Sequence, residues 1–372
     1  MIHVHQSPTQ KERRANAFSK ERALSFLFLF LQSLKGERVG IFHHTDPDGI
    51  SSGIILGELI KQYTKENPVL YPTTYMALQE GTPLHQIQKN NITKALFIDL
   101  GIDGQQEFVQ QISQKVSWFL IDHHELYHDA DNILKPQKYT EISPSRYPCG
   151  KMAYDLASSI LDVSSKDWIA CLGIIGDMAT EQWKEFIHET FKKYGWKEKK
   201  NYYDTVPGNV CRLITSVEAT GDEKKLLHAI KILRTAKRPE DILNSSLKKI
   251  HKKVEKEINE TVQKIEKKYK HEKYIYAEIK TKYYIKSPIS TILGVHNPHK
   301  TVITISKEKD QYHISGRRSD GKYPVSTLIR NALAGIPGAQ GGGHIQAGGG
   351  SVPEKYYSKF KKRIIGEMEK QD

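Results

Sequence analysis

From Arg38 to Asp122 two hydrophobic patterns alternate along the chain. Continuous apolar runs, "RVGIF" (38–42), "VLYPTTY" (69–75), "KALFID" (94–99) and "VSWFLID" (116–122), predict strands. Pro72 pushes the second of them towards a sheet edge. Between the runs, "GISSGIILGELIKQY" (49–63), "LHQIQKN" (84–90) and "GQQEFVQQISQK" (104–115) repeat apolar residues at helical spacing. Strands separated by short helices predict a parallel sheet with helices on its faces. Residues 150–162 and 166–180 predict buried helices. Ahead of all this, "ALSFLFLFLQSL" (23–34) is the most apolar run. It is shorter than the ~20 residues a bilayer span needs, and no small-residue cleavage site follows it. It predicts a helix packed on the first domain.

The pattern changes near residue 243. In "NSSLKKIHKKVEKEINETVQKIEKKYKHEKY" (244–274), Leu247, Ile250, Val254, Ile258, Val262 and Ile265 recur every three or four positions among lysines. This predicts an amphipathic connecting helix with a solvated lysine face; a nucleic-acid-binding face is the sharper alternative. "YIYAEIK" (274–280), "TVITISK" (301–307) and "QYHISGR" (311–317) then predict strands, "VSTLIRNAL" (325–333) a helix, and "GGGHIQAGGG" (341–350) a glycine-rich loop. The expected class is therefore α/β. An N-terminal tail and helix (1–36) precede a parallel-sheet domain (37–242), a helical linker (243–273) and a smaller α/β domain (274–372), with the active-site cleft between the two domains.

Composition narrows the class. With 38% hydrophobic and 27% charged residues among 372, the chain reads as globular and large enough for two cores. A formal charge of +13 favours a polyanionic partner, though one lysine-rich helix carries part of the excess. The three cysteines, Cys149, Cys171 and Cys211, form no C-x-x-C pair. That points away from thiolate zinc sites and disulfides, towards a reducing cytoplasm.

The chemistry gathers at strand ends. "RVGIF" runs into His43-His44-Thr45-Asp46-Pro47-Asp48-Gly49, "KALFID" ends at Asp99, and "VSWFLID" ends at Asp122-His123-His124. The carboxyl ends of parallel strands share one edge, where ligands bind. Carboxylates crowded there repel one another unless cations join them. Carboxylate with imidazole suits manganese, zinc or iron, and manganese tolerates the most oxygen-rich set. Each piece also has an ordinary alternative. Asp48 could cap the helix that follows it, Asp99 could end a strand in a turn, Asp177 could be a lone polar residue closing an apolar helix, and paired histidines are often surface residues. Four such features in one α/β domain weigh against those alternatives together.

"HTDPDGISSG" (44–53), "FIDLG" (97–101), "IDHHE" (121–125), "GDMA" (176–179) and "GGGH" (341–344) together resemble the ordered motifs of the DHH phosphoesterase family and its associated C-terminal domain. The resemblance runs over roughly residues 37 to 353. It implies a hydrolase with two divalent metals, Mn2+ first and Mg2+ next, in which water attacks phosphorus. Carried over by position, His44 and Asp46 bind one metal, Asp48, His123 and Asp177 the other, and Asp99 bridges them. The spacing of His44 departs from that of the related pyrophosphatases. His124 faces the substrate phosphate as donor or proton source, and Asp122 orients the histidines. Arg317, Arg318, Gly341, Gly342, Gly343 and His344 clamp a phosphate or nucleotide end, the glycines as a backbone nest. The implied function is a RecJ-like or oligoribonuclease-type exonuclease releasing mononucleotides from single-stranded DNA, RNA or short oligonucleotides. Replication proteins are candidate partners, and no membrane association is expected. The alternative is a small-molecule phosphoesterase acting on cyclic dinucleotides or 3′-phosphoadenosine 5′-phosphate; the third is a replication-associated scaffold without metals.

Overall fold

The computed structural model describes residues 25–371. They separate into two compact units, one holding residues up to 218 together with 222–248, the other 219–221 together with 249 onward. Among the described residues no helix is long and apolar enough to cross a membrane.

In the first unit five strands, β1 (Val39–His43), β2 (Val69–Pro72), β3 (Lys94–Ile98), β4 (Ser117–Ile121) and β5 (Ile133–Leu134), form an all-parallel sheet in the order β2-β1-β3-β4-β5. The central strands are buried almost throughout, as expected where helices cover a parallel sheet. Phe42, Phe97 and Leu120 join Phe108 and Ile112 of the helix Gln106–Ser113 in one core. Of the apolar N-terminal run, Ala23 and Leu24 lie outside the described residues. Residues 25–32 are helical, and Leu27 and Leu31 are buried. Phe30 meets Phe119 of β4 with ring centroids 5.1 Å apart.

Three departures from the hydrophobic pattern have local causes. The second run stops pairing at Pro72; Thr74 accepts from Ala77 N at 3.1 Å and starts the short helix Tyr75–Gln79 instead. The helix expected over 166–180 ends at Gly176, with Met178 in the left-handed region at φ +55°. Residues 184–243, which the pattern left unassigned, fold into four further helices: Lys184–Tyr194, Val206–Glu218, Glu223–Thr235 and Pro239–Leu243.

The second unit holds β6 (Ile275–Ile279), β7 (Val302–Glu308), β8 (Gln311–Arg317), β9 (Gln340–Gly343) and β10 (Ala347–Pro353) in the order β6-β7-β8-β10-β9. Only the β6–β7 pair is parallel. The lysine-rich helix Leu247–Lys268 buries Val254, Ile258, Val262 and Ile265 against Ile275, Ala277, Ile289 and Leu293, so its apolar stripe belongs to this unit's core. The glycine-rich segment is not a loop throughout: residues 340–343 and 348–351 pair as antiparallel strands. The helix Val325–Leu333 accounts for part of the glycine run. A Cβ on Gly341 would lie 2.5 Å from Leu333 Cδ1, and one on Gly348 3.1 Å from Ile329 Cδ1.

Register sets up the first unit's most consequential feature. His43 pairs with Ile98, Ile98 with Ile121, and Ile121 with Leu134. The next residues, His44, Asp99, Asp122 and Lys135, therefore stand in one row just past the carboxyl edge. Backbone bonds carry the ladder into that row: His44 N donates to Ile98 O at 3.2 Å, Asp99 N to Ile121 O at 3.0 Å, and Asp122 N to Leu134 O at 3.1 Å. Lys135 closes the row wholly buried, its Nζ 2.8 Å from Asp103 Oδ1, 2.9 Å from Asp122 Oδ2 and 2.6 Å from Glu125 O. Among the described residues, removing the amine leaves buried Asp103 with only the Tyr127 N–H and buried Asp122 with only His124 to offset its charge. Lys135→Ala is expected to lower stability by roughly 3–5 kcal/mol, read as a shift in the urea midpoint. A loss below about 1 kcal/mol would mean the ammonium does not brace this edge.

Candidate metal centre

Each ligand-type side chain reaches the row by its own local device. Asp46, rather than Asp48, caps the helix Pro47–Thr64, accepting from Gly49 N at 2.8 Å, with Pro47 at the first helical position. Asp48 caps a different helix, Cys149–Ser158: Cys149 N donates to Oδ2 at 2.7 Å and Gly150 N to Oδ1 at 2.8 Å. That approach depends on glycine, because a Cβ on Gly173 would fall 2.2 Å from Asp48 Oδ1. Asp99 ends β3 with φ +60°, a left-handed conformation that aspartate tolerates better than most residues. His123 places Nδ1 3.1 Å from Pro144 O, which assigns the proton there and leaves Nε2 facing Asp99 Oδ1 at 3.4 Å and Asp177 Oδ2 at 3.3 Å. Asp177 follows the last residue of the helix Asp167–Gly176.

Among the described residues three sets of ligand atoms share Asp99. Ligand atoms of His44, Asp46 and Asp99 lie within 4.8 Å of one another, and so do those of Asp48, Asp99, His123 and Cys149. The third set is Asp99, Asp122 and His124; Asp177 belongs to none of them and reaches the centre through His123 Nε2 at 3.3 Å. Within the first set, His44 Nδ1 is 2.9 Å from Asp46 Oδ2 and 3.7 Å from Asp99 Oδ2.

The electrostatics show what the cluster lacks. Burial pushes the Asp48 carboxyl well up, and Asp177, Asp99 and Asp46 push the same way. Burial and Asp46 raise Asp99 likewise, and burial carries Asp177 up to about 7 against the pull of His123. Asp46 moves oppositely: despite burial, His44 and the Gly49 N–H hold it down at about 2. The imidazoles answer in kind. Burial opposes protonation of both, yet Asp46 and Asp99 carry His44 up to about 10, and Asp99, Asp48 and Asp177 raise His123. The donor set therefore balances itself by holding protons. Divalent cations would neutralise the same carboxylates and use the imidazole lone pairs, so four carboxylates and two histidines arranged in this way fit metal binding.

The other half of the D-H-H motif is arranged differently. Asp122 is wholly buried; despite that burial, His124 and Lys135 hold its carboxyl well below the usual range. Its Oδ1 lies 2.7 Å from His124 Nδ1, while His124 Nε2 lies 3.3 Å from the Tyr75 hydroxyl. The sequence reading missed Lys135, Tyr75, Cys149 and Glu218. Glu218 accepts from Thr45 Oγ1 at 2.7 Å, and burial followed by Asp46 raises its carboxyl. Lys135 carried a signal of its own: the apolar pair Ile133-Leu134 ends in a charged residue, as β3 and β4 end in aspartate.

The remaining predicted residues lie in the second unit. Arg317 donates from Nε to Thr291 Oγ1 at 3.1 Å and from Nη1 to Gly316 O at 2.9 Å; no carboxylate among the described residues pairs with it. Arg317 lines an open depression of about 330 Å³ together with Lys286, Ser287, Gly343 and Gly348. Lys286, also unforeseen, is mostly buried there, and that burial lowers the pKa of its amine. Arg318 is placed otherwise: it is buried, and its fork is taken up by Asp320 at 2.7 and 3.2 Å. Gly341 and Gly342 form edge strand rather than a nest, and His344 is exposed in the turn that follows, its N donating to Ala347 O at 2.6 Å.

Comparison with known proteins recognises both halves of the chain. Residues 38–190 match the N-terminal domain of the DHH family, and residues 271–370 match the DHHA1 domain. Among solved structures, RecJ of Thermus thermophilus in complex with Mn2+ superposes with a TM-score of 0.64 at 15% identity. That alignment covers 98% of this chain and 55% of the RecJ chain, so this chain spans about half the length of that relative. A second exonuclease RecJ, bound to manganese, gives a TM-score of 0.61 at 14% identity over 99% of this chain and 96% of its own. CDC45 from Entamoeba histolytica gives 0.54 at 11% over 92% and 98%. At these identities the likeness is one of fold. No curated protein matches the sequence. With both domain models in order along it, the chain belongs to the DHH phosphoesterase family and carries that family's C-terminal DHHA1 domain.

Proposed function

We propose that this protein is a metal-dependent phosphodiesterase, a RecJ-like exonuclease that releases mononucleotides from single-stranded nucleic acid or short oligonucleotides. The observation that carries this reading is the meeting at Asp99 of two ligand sets, one with His44 and Asp46, the other with Asp48 and His123. His44 and Asp46 would hold one divalent ion, Asp48, His123 and Asp177 a second, and Asp99 both; manganese suits so oxygen-rich a set, with magnesium as the alternative. When bound, such ions offset charge on the phosphate and acidify the attacking water. The chain's own residues do the rest. Asp122, kept ionised by His124 and Lys135, fixes the His124 ring through Nδ1, and the Nε2 N–H, shared with the Tyr75 hydroxyl at 3.3 Å, would be the donor for a phosphate oxygen. Arg317 offers an uncompensated guanidinium for another phosphate. The net charge of +13 favours a polyanionic substrate over a small one.

Asp99→Ala is expected to abolish hydrolysis of every phosphodiester while leaving the circular-dichroism spectrum intact, because its loss relieves repulsion among the remaining carboxylates. Substantial activity of this variant at saturating Mn2+ would sink the shared-ligand assignment.

Removing metal should change how stability depends on pH. Asp48, Asp99 and Asp177 have folded pKa values above their unfolded ones, so the folded state keeps protons the unfolded chain has lost. Their contribution falls as pH rises from about 4 through the value of about 7 at Asp177. His44 has the same sign, its contribution being complete below about 6.5 and lost through about 10. The chelated protein should therefore melt at a lower temperature at pH 8.5 than at pH 6, and Mn2+ should raise the melting temperature more at the higher pH. An equal rise at both pH values would count against a carboxylate–imidazole metal site.

Arg317→Ala should separate grip from chemistry. Losing one charge-assisted phosphate contact should weaken oligonucleotide binding by roughly ten- to a hundredfold. Hydrolysis of bis-p-nitrophenyl phosphate, which needs no such grip, should continue near the wild-type rate. Equal losses on both substrates would favour the small-molecule phosphoesterase reading.

A further inference from the structure

Tyr75 touches both halves of the centre, yet it belongs to none of the motifs that drew attention to the site. Its hydroxyl lies 3.3 Å from His124 Nε2, the nitrogen turned away from Asp122. Its ring packs against the His44 imidazole, with centroids 5.2 Å apart and planes at 48°. The residue is itself anchored. Thr74 caps the helix that Tyr75 begins, and Thr73 N donates to His43 O at 2.8 Å, tying this segment to the end of β1 beside His44.

Both imidazoles need such a brace. The His124 side chain is 43% exposed, so packing alone does not hold it. Histidine χ2 has a broad, shallow preference, and one hydrogen bond at Nδ1 leaves the ring free to swing about it. A second contact at Nε2 removes that freedom. His44 is tied at Nδ1 to Asp46, and the Tyr75 ring limits how far its plane can rotate.

Resting on the phosphodiesterase reading above, we propose that Tyr75 is a positioning residue of the centre: its hydroxyl sets the ring of His124 for the substrate phosphate, and its ring sets His44 for the metal. The two functions reside in different atoms, so substitution can part them. Phenylalanine keeps the ring and removes the hydroxyl; alanine removes both.

The test uses the full chain as Tyr75→Phe and Tyr75→Ala. Tyr75→Phe should lose roughly three- to tenfold in kcat, the worth of one hydrogen bond, with KM and Mn2+ affinity close to wild type. Tyr75→Ala should lose the same in kcat and, in addition, several-fold in Mn2+ affinity, measured from free Mn2+ by electron paramagnetic resonance. Phenylalanine should thus restore metal binding but not turnover. A readout independent of activity is the imidazole nitrogen spectrum of the metal-free protein at one fixed pH. There, Tyr75→Phe should move the Nε2 resonance of His124 and leave that of His123 in place. An unmoved His124 resonance, or wild-type kcat in Tyr75→Phe, would overturn the hydroxyl's role. Wild-type Mn2+ affinity in Tyr75→Ala would overturn the ring's. If the wild type cleaves no phosphodiester, the function proposed above fails, while the nitrogen spectrum and the Mn2+ titration still decide whether Tyr75 sets the two rings.

Discussion

Repulsion between carboxylates held at the carboxyl edge of one parallel sheet is the constraint on which this structure turns. Parallel register brings the residues that follow β1, β3, β4 and β5 into a single row, and three of the four strands deliver an ionisable side chain of the histidine or aspartate type there. Once such a row exists, its neighbours are determined by the charge it gathers. Backbone N–H groups at a distant helix start turn towards Asp48, glycines open the space for that approach, and imidazoles take up protons that would otherwise stay in solvent.

The row solves its charge problem in two ways. At one end the solution includes a fixed charge: Lys135 is sealed in with Asp103 and Asp122, and joins His124 in keeping Asp122 ionised. At the centre it is provisional: Asp99 is matched by protons on His44 and His123, which a dication can replace. This difference explains why adjacent members of one motif have different chemistry. Asp122 holds Nδ1 of His124, while His123, one residue later, turns Nε2 to Asp99 and Asp177.

Much of this was legible in the sequence, because strand-end position is a periodic property. Once "VSWFLID" reads as a buried strand, Asp122, His123 and His124 must stand at its tip, and the same reasoning placed Asp99 and His44. The brief pair Ile133-Leu134 was too short to give a pattern, so Lys135 went unseen. Tyr75 was hidden because a β-type run was extended through Thr73 and Thr74, where threonine in fact begins a helix. The surroundings of the arginine pair and the glycines in the second unit were only half legible. Arg317 and Arg318 look alike in sequence, yet Asp320, two residues on, claims the second and leaves the first. The glycines were recognised as a place of close approach, but what approaches them is the helix Val325–Leu333, a tertiary fact that composition does not encode.

The double duty of Asp48 has an evolutionary consequence. Its carboxylate holds down the first turn of the helix Cys149–Ser158 as well as facing the centre, so selection for folding alone would retain it. A descendant of this chain that abandoned hydrolysis would still keep Asp48 and Gly173, which admits it. In such a lineage the aspartate would outlive the activity, a fossil of packing rather than a mark of catalysis.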